Sequence, residues 1–319
     1  MTDTPPILLA VTGNPVLSNK TPQMINAALR QVGRPGQCLR LAADSAEEAV
    51  QLARLLDVQG LSVTSPFERD ILPLLSAVDA SAAAAGTANV VTVGDTGLTG
   101  FHVEPGNDSS EIARPFDWAG AAFARMIQDT AYPRDIMAEA LELHTKGFPG
   151  RVALIGFMGC GKTRNGRRLA RETGWAFKDM DSAIEQTAGR SIPDIFQTDG
   201  EEAFRKLETQ VLETLASSIE TVVSCGGGVV TRPENRRLLQ KHFLCVWLVA
   251  SMDTIIARTT GSDRPLLACE NPRAKAEALY QDRRMMYAAC ADLVVSTEPT
   301  CRRQADEKIH AEIAAAFPE

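Results

Sequence analysis

The chain lacks the features that would carry it across a membrane, staple it with disulfides or lay it on nucleic acid. No apolar run approaches the roughly 20 residues needed to span a bilayer. The N-terminus has no basic segment followed by an apolar stretch, so no signal peptide is expected. The seven cysteines form no CxxC pair and are odd in number. That pattern fits free thiols in a reducing cytoplasm better than a disulfide framework or a zinc site. Basic excess is also missing: the net charge is −7, with 10 Lys and Arg against 17 Asp and Glu in residues 1–150 and 23 against 23 thereafter. A nucleic-acid partner is therefore not expected, and any arginine that meets phosphate must be placed locally.

What is present suits about two globular domains in 319 residues. The first half opens with the apolar run Ile7 to Thr12, a strand ending at Gly13-Asn-Pro15. Thr21-Pro22 begins a helix reaching about Val32. Ser45 and Glu48 have the spacing of a helix cap for a helix to Leu56. Leu61 to Thr64 reads as a strand, Ile71 to Ala85 as an alanine-rich helix, and Asn89 to Phe101 as a hairpin turning at Gly94-Asp95. Two further helices are expected at Asp117–Gln128 and Pro133–His144. Lys146-Gly-Phe-Pro-Gly150 is a linker separating a domain of residues 1–146 from one of residues 151–319. The second half alternates strand and helix from Val152 to the helical stretch near Gln304–Ala315, the pattern of a parallel sheet wrapped by helices. Both halves thus belong to the α/β class.

One motif carries explicit chemistry. Gly156-Phe-Met-Gly159-Cys160-Gly161-Lys162-Thr163 fits GxxxxGK[ST], directly after the strand at 152–155 and before a helical run from Arg164 to Thr173. Glycines let backbone N–H groups turn inward around phosphate oxygens, and the helix N-terminus adds positive potential at the same point. Lys162 can reach the β- and γ-phosphates of ATP, and the Thr163 hydroxyl can ligate Mg²⁺. Downstream, Asp179 and Asp181 lie two apart at the end of a short strand and are expected to project the same way. One carboxylate can then serve Mg²⁺ and the other an acceptor hydroxyl. A solvated turn in which Asp181 caps a helix is the bland alternative.

Further along, the chemistry-bearing blocks have a definite order: Asp199-Gly-Glu201-Glu-Ala-Phe204-Arg205-Lys-Leu-Glu208, then Ser224-Cys-Gly226-Gly227-Gly228, then Arg264-Pro265, then Arg283-Arg-Met-Met-Tyr287. From Arg151 to Ser296 this series resembles shikimate kinase. The resemblance implies transfer of the ATP γ-phosphoryl to the 3-hydroxyl of shikimate, within aromatic amino-acid biosynthesis. It implies that Asp181 contacts the shikimate hydroxyls as the base and that Asp179 supports Mg²⁺ through water. Arg205 and Arg283 would grip the carboxylate, and Gly226, Gly227 and Gly228 would bring the chain close to the ring. Arg264 would come from a lid over the phosphates, and Arg258 would lie beside the adenine. Guanidinium forks suit a small carboxylic acid because bidentate bonds fix its orientation. Two departures stand out. Arg164 replaces a second hydroxyl residue, which puts nucleotide affinity in question, and Met285 stands where the family usually has proline. Alternatives are a different small-molecule P-loop kinase of the gluconate kinase type, and a non-catalytic shikimate-sensing fusion.

The first half resembles the substrate-binding domain of shikimate dehydrogenase, through Gly13 to Pro22, Ser62 to Phe67, Gly86 to Asn89 and Gly97 to Glu104. The resemblance places Glu68 where that family has its catalytic lysine and Glu104 where it has the aspartate. Asn19 and Thr21 replace its serines, and Trp118 replaces its glutamine. A carboxylate in place of a cation inverts the local charge, so the family's proton transfer cannot run. Residues 106–116 are too few for a nicotinamide domain. This half is expected to lack dehydrogenase activity. Its open roles are retained binding of a small polyol acid and a structural role at a homo-oligomer interface.

Overall fold

The computed structural model describes residues 5–31, 33–94, 97–102, 148–259 and 271–318. The chain forms two compact units, Met1–Gly147 with Glu312–Glu319, and Phe148–Ala311. No helix among the described residues is long and apolar enough to cross a membrane.

The first unit holds a mixed sheet in the order β4-β6-β5-β3-β1-β2, formed by β1 (Ile7–Gly13), β2 (Gly36–Ala42), β3 (Gly60–Val63), β4 (Ala77–Val78), β5 (Val90–Gly94) and β6 (Gly97–Phe101). β1 is buried along its whole length and pairs in parallel with β2 and β3. Covering both faces requires a continuous apolar run, which is what Ile7 to Val11 supplies. Helix α1 (Thr21–Gln31) buries Ile25, Ala28 and Leu29, three and four residues apart, against it. Helix α2 (Ala46–Leu55) starts as its sequence predicts: the Ser45 hydroxyl accepts from Glu48 N at 3.3 Å, a cap that contributes about 1 kcal/mol. The expected hairpin is the antiparallel pair β5–β6, with Val90 opposite Phe101 and Val93 opposite Leu98. Near the start of this unit's chain, the Glu312 carboxylate accepts from Val16 N at 2.8 Å and Leu17 N at 2.7 Å.

The segment predicted as one helix over 71–85 is different. It divides into a short 3-10 turn at Leu72–Leu74, the strand β4, and a helix α3 of only Ala80–Ala85. Pro73 disfavours a continuous helix, and the edge of β6 captures residues 76–79. Ser76 N donates to Leu98 O at 2.8 Å and Asp79 N to Gly100 O at 2.9 Å. Asp79 then caps α3 by accepting from Ser81 N at 2.9 Å. The helices expected at 117–128 and 133–144 lie outside the described residues.

The second unit holds five parallel strands in the order β11-β10-β7-β9-β8: β7 (Arg151–Ile155), β8 (Ala176–Asp179), β9 (Thr221–Ser224), β10 (Leu244–Val249) and β11 (Leu293–Ser296). From β7 the chain passes to the edge strand β8, returns to β9 beside β7, and then crosses to β10 on the other side of β7, so the loop after β7 lies at the switch point where open parallel sheets bind ligands. Helices are α4 (Lys162–Thr173), α5 (Met180–Ala188), α6 (Ile192–Leu215), α7 (Pro233–His242), α8 (Met252–Thr259), α9 (Pro272–Cys290) and α10 (Ala305–Ala316), which belongs to this unit as far as Ala311. α6 contains a break at Gly200, whose φ of 78° and ψ of 178° are non-helical. Gly166 lets α4 approach the sheet closely. A Cβ there would stand 2.7 Å from the Phe177 ring and 3.1 Å from Leu154 Cδ1. Gly166→Val is expected to destabilise this unit by about 1–3 kcal/mol, read as a lower urea midpoint of its unfolding transition.

Candidate active site

The loop between β7 and α4 curls because three of its glycines adopt positive φ: Gly156 at 136°, Gly159 at 74° and Gly161 at 89°. At Gly156 a side chain is also sterically excluded, since a Cβ would lie 2.4 Å from Leu248 O. The loop ends at the N-terminus of α4, so its amides and the helix dipole face one point. Lys162 Nζ donates to Gly156 O at 2.8 Å and Phe157 O at 2.9 Å, and lies 3.8 Å from Cys160 Sγ. Its charge is thereby folded over the loop. Arg258 is tied to the far side of the loop, donating to Thr297 O at 2.6 Å, Thr297 Oγ1 at 3.1 Å and Gly159 O at 3.4 Å. Arg164 is exposed. It has no partner among the described residues, although a cation in a helix's first turn is disfavoured by about 0.3–1 kcal/mol without an anion there.

The Asp179–Asp181 pair departs from the sequence expectation. β8 stops at Asp179 and the chain turns into α5 at Met180. Alternation of side chains holds only while both residues are extended, so the two carboxylates do not project alike from a strand. Asp179, not Asp181, is the helix cap: its Oδ1 accepts from Asp181 N at 3.2 Å. Its Oδ2 accepts from the Thr163 hydroxyl at 3.0 Å, and that hydroxyl lies 3.2 Å from Ser224 Oγ. Thr163, Asp179 and Ser224 therefore offer only hard oxygen donors beside the phosphate loop. That donor set suits Mg²⁺, which is usually held by one or two protein oxygens plus phosphates rather than by a protein cage.

The glycines after β9 connect this loop to a second set of charges. A Cβ on Gly227 would lie 3.5 Å from Met158 N and 3.7 Å from Gly156 O, so the two loops abut. On Gly228 it would lie 2.5 Å from Arg205 Nη1, and on Gly226 3.2 Å from both Asp181 Oδ1 and Glu208 Oε1. Side chains at 226 and 228 would thus displace the groups that face the acceptor position. Asp181, Arg205, Glu208 and the triple glycine form one cluster. Arg283 joins it through a bond from Nη1 to Gly227 O at 3.3 Å.

Arg205 donates to Glu208 at 3.0 Å and to Glu201 at 3.1 Å, and lies 5.1 Å over the Phe204 ring. Glu201 is exposed, whereas Glu208 is only 1% exposed. Burial is the main cause of the raised pKa of Glu208. Arg205 opposes the rise and the Asp181 charge adds to it. On its own spacing, Arg205 with Glu201 and Glu208 reads as a surface ion pair. The structure instead makes Glu208 a buried anchor for the guanidinium. Ser224, Glu208 and Thr297 were not among the expected site residues. Only a buried carboxylate three residues beyond Arg205, on the same helix face, could have signalled one of them. Arg264 lies outside the described residues, as do Glu104 and Trp118.

In the first unit, the Thr64 hydroxyl donates to Thr12 O at 3.2 Å and Asn19 Oδ1 accepts from Thr21 N at 2.9 Å. These side chains are engaged with their own backbone. Glu68 is half-buried.

Known proteins of two kinds resemble the chain. The shikimate kinase family model matches residues 158–314, and that of the shikimate dehydrogenase substrate binding domain matches residues 11–91. The shikimate kinase of Synechococcus elongatus is 47% identical over 146 residues, 46% of this chain and 76% of that protein. That of Chromobacterium violaceum is 43% identical over 149 residues, covering 46% and 81%. Among solved structures, shikimate kinase from Acinetobacter baumannii in complex with shikimate is 36% identical with a TM-score of 0.51, over 53% of this chain and 96% of that one. Through its second unit, the chain belongs to the shikimate kinase family.

Proposed function

We propose that the chain is a shikimate kinase, with residues 151–319 as the kinase domain and residues 1–146 as a dehydrogenase-like domain without dehydrogenase activity. The observation that carries this reading is the contact of Gly227 with Gly156 and Met158, which sets the Asp181–Arg205–Arg283 cluster against the phosphate loop. Arg205 and Arg283 bind the shikimate carboxylate and orient the ring. Asp181 accepts the proton of the attacked hydroxyl as that oxygen bonds to the γ-phosphorus. The bond from the γ-phosphorus to the bridging oxygen then breaks, and ADP leaves. Lys162 neutralises charge on the β- and γ-phosphates, and Arg258 borders the adenine. Arg264 closes over the phosphates and excludes water. Mg²⁺ would be held by Thr163 and, through water, by Asp179, and it would neutralise phosphate charge.

In the first unit, Glu68 stands where the dehydrogenase reaction needs a cation. This reading therefore leaves the domain either retained binding of a small polyol acid or a structural, subunit-interface role.

The test is ADP release by the full chain with shikimate and with gluconate. Turnover on shikimate alone is expected; turnover on gluconate alone, or binding without transfer, rejects the reading. Asp181→Asn is expected to lower kcat by about 10²–10⁴-fold, with ATP affinity changed far less in equilibrium binding. A near wild-type kcat would remove Asp181 from the role of base.

Glu208 supplies a pH signature. Its raised pKa means that folding favours the protonated carboxyl, so this group's contribution to stability is lost as pH rises through the folded value. As pH falls through that same value, the carboxylate loses its charge and Arg205 loses its buried anchor. Glu208→Gln is expected to raise the shikimate KM by about tenfold at pH 8 and to flatten its rise on acidification. An unchanged acid limb in that variant would assign it to another group.

A further inference from the structure

Tyr287 lies one turn beyond Arg283 on α9, and no step of the transfer uses it. It is fully buried. Its ring stacks on Trp247 of β10, with centroids 5.6 Å apart and planes at 28°. Trp247 in turn borders the phosphate loop, since a Cβ on Gly156 would lie 3.3 Å from its Cδ1. The Tyr287 hydroxyl donates to the Gly227 carbonyl, the same oxygen that receives Arg283 Nη1 at 3.3 Å.

We propose that Tyr287 is a positioning residue for the acceptor: by holding the Gly227 carbonyl it fixes the triple-glycine loop and the direction in which Arg283 presents its guanidinium. The proposal rests on the reading of Arg283 as a carboxylate-binding group. A carbonyl oxygen has two lone pairs. With the phenol on one, Arg283 meets the oxygen from a single direction, and a side-chain hydrogen bond between Arg283 and the Tyr287 hydroxyl holds the guanidinium there. Without the phenol, the oxygen loses one of its two donors and keeps Arg283 as the other. Arg283 can then turn further onto it and away from the substrate. Glycine supplies no side chain of its own to hold the loop, so the restraint has to come from outside it. Burial raises the pKa of the Tyr287 hydroxyl, the Arg283 charge opposing, which keeps it a donor through the neutral range. The ring stack relays the same restraint to Trp247 beside Gly156, so the acceptor loop is referenced to the phosphate loop.

The test compares Tyr287→Phe, Arg283→Lys and the double variant in the full chain. Tyr287→Phe keeps the ring and removes only the donor. It is expected to raise the shikimate KM about 5–20-fold, with kcat and the ATP KM within about twofold of wild type. The double variant is expected to be no worse than Arg283→Lys alone, because both substitutions disable one arrangement. A wild-type shikimate KM in Tyr287→Phe overturns the proposal, as do parallel rises in both KM values or fully multiplicative effects. Trp247→Phe, which keeps a ring under Tyr287 and the hydroxyl bond, is the control for general core disturbance. A rise in shikimate KM equal to that of Tyr287→Phe would also overturn it. Absence of shikimate turnover in the unaltered chain would instead sink the kinase reading itself.

Discussion

Everything in the second unit depends on two glycine-rich loops lying against each other. A Cβ on Gly227 would stand 3.5 Å from Met158 N and 3.7 Å from Gly156 O, ordinary van der Waals distances, so the two loops lie side by side. The approach brings the phosphate-loop motif and the Asp181–Arg205–Arg283 cluster together. The parallel sheet provides the conditions for it. β9 runs beside β7 in register, with Ser224 opposite Leu154, so the loops leaving both strands emerge side by side. The acceptor residues come from three different helices, yet each is referenced to those loops: Asp181 by Gly226, Arg205 by Gly228, and Arg283 by the carbonyl of Gly227.

Electrostatics in this cleft are arranged before any ligand arrives. The Arg205 guanidinium is held by a buried carboxylate on one side and an exposed one on the other. The buried partner matters more, because an ion pair in contact with water contributes little, whereas a buried arginine without a counter-charge would be costly. The Thr163 hydroxyl is similarly pre-set by Asp179 and Ser224. Such prior arrangement removes part of the reorganisation that phosphoryl transfer would otherwise require.

Much of this was legible from residue order alone. The phosphate loop sits between β7 and α4 as its motif demands, and the Ser45 cap and the β5–β6 hairpin formed where local chemistry placed them. Three features were not legible, for identifiable reasons. Residues 71–85 have helical composition, but an unpaired strand edge drew the chain into a ladder. The two aspartates look like strand neighbours until Asp179 ends the strand by capping a helix. β2 escapes a reading by alternation because Arg40 lies within it; its guanidinium is buried and donates to Asn19 O at 2.9 Å. For residues 71–85 and for Arg40 a tertiary partner distant in sequence overrides local preference, whereas at Asp179 a local helix cap overrides strand alternation.

The break at Gly200 gives the remainder of α6, from Glu201 to Leu215, an N-terminus of its own. Glu201 and Glu202 stand in its first turn, where the peptide dipoles favour anions. One of these, Glu201, is the exposed partner of Arg205. The chain thus brings its own exposed counter-ion to Arg205, and under the proposed function a substrate carboxylate would compete with Glu201 for that guanidinium. Under the same proposal, discrimination among acids would fall to the fit of the ring against Gly226 to Gly228 more than to long-range attraction.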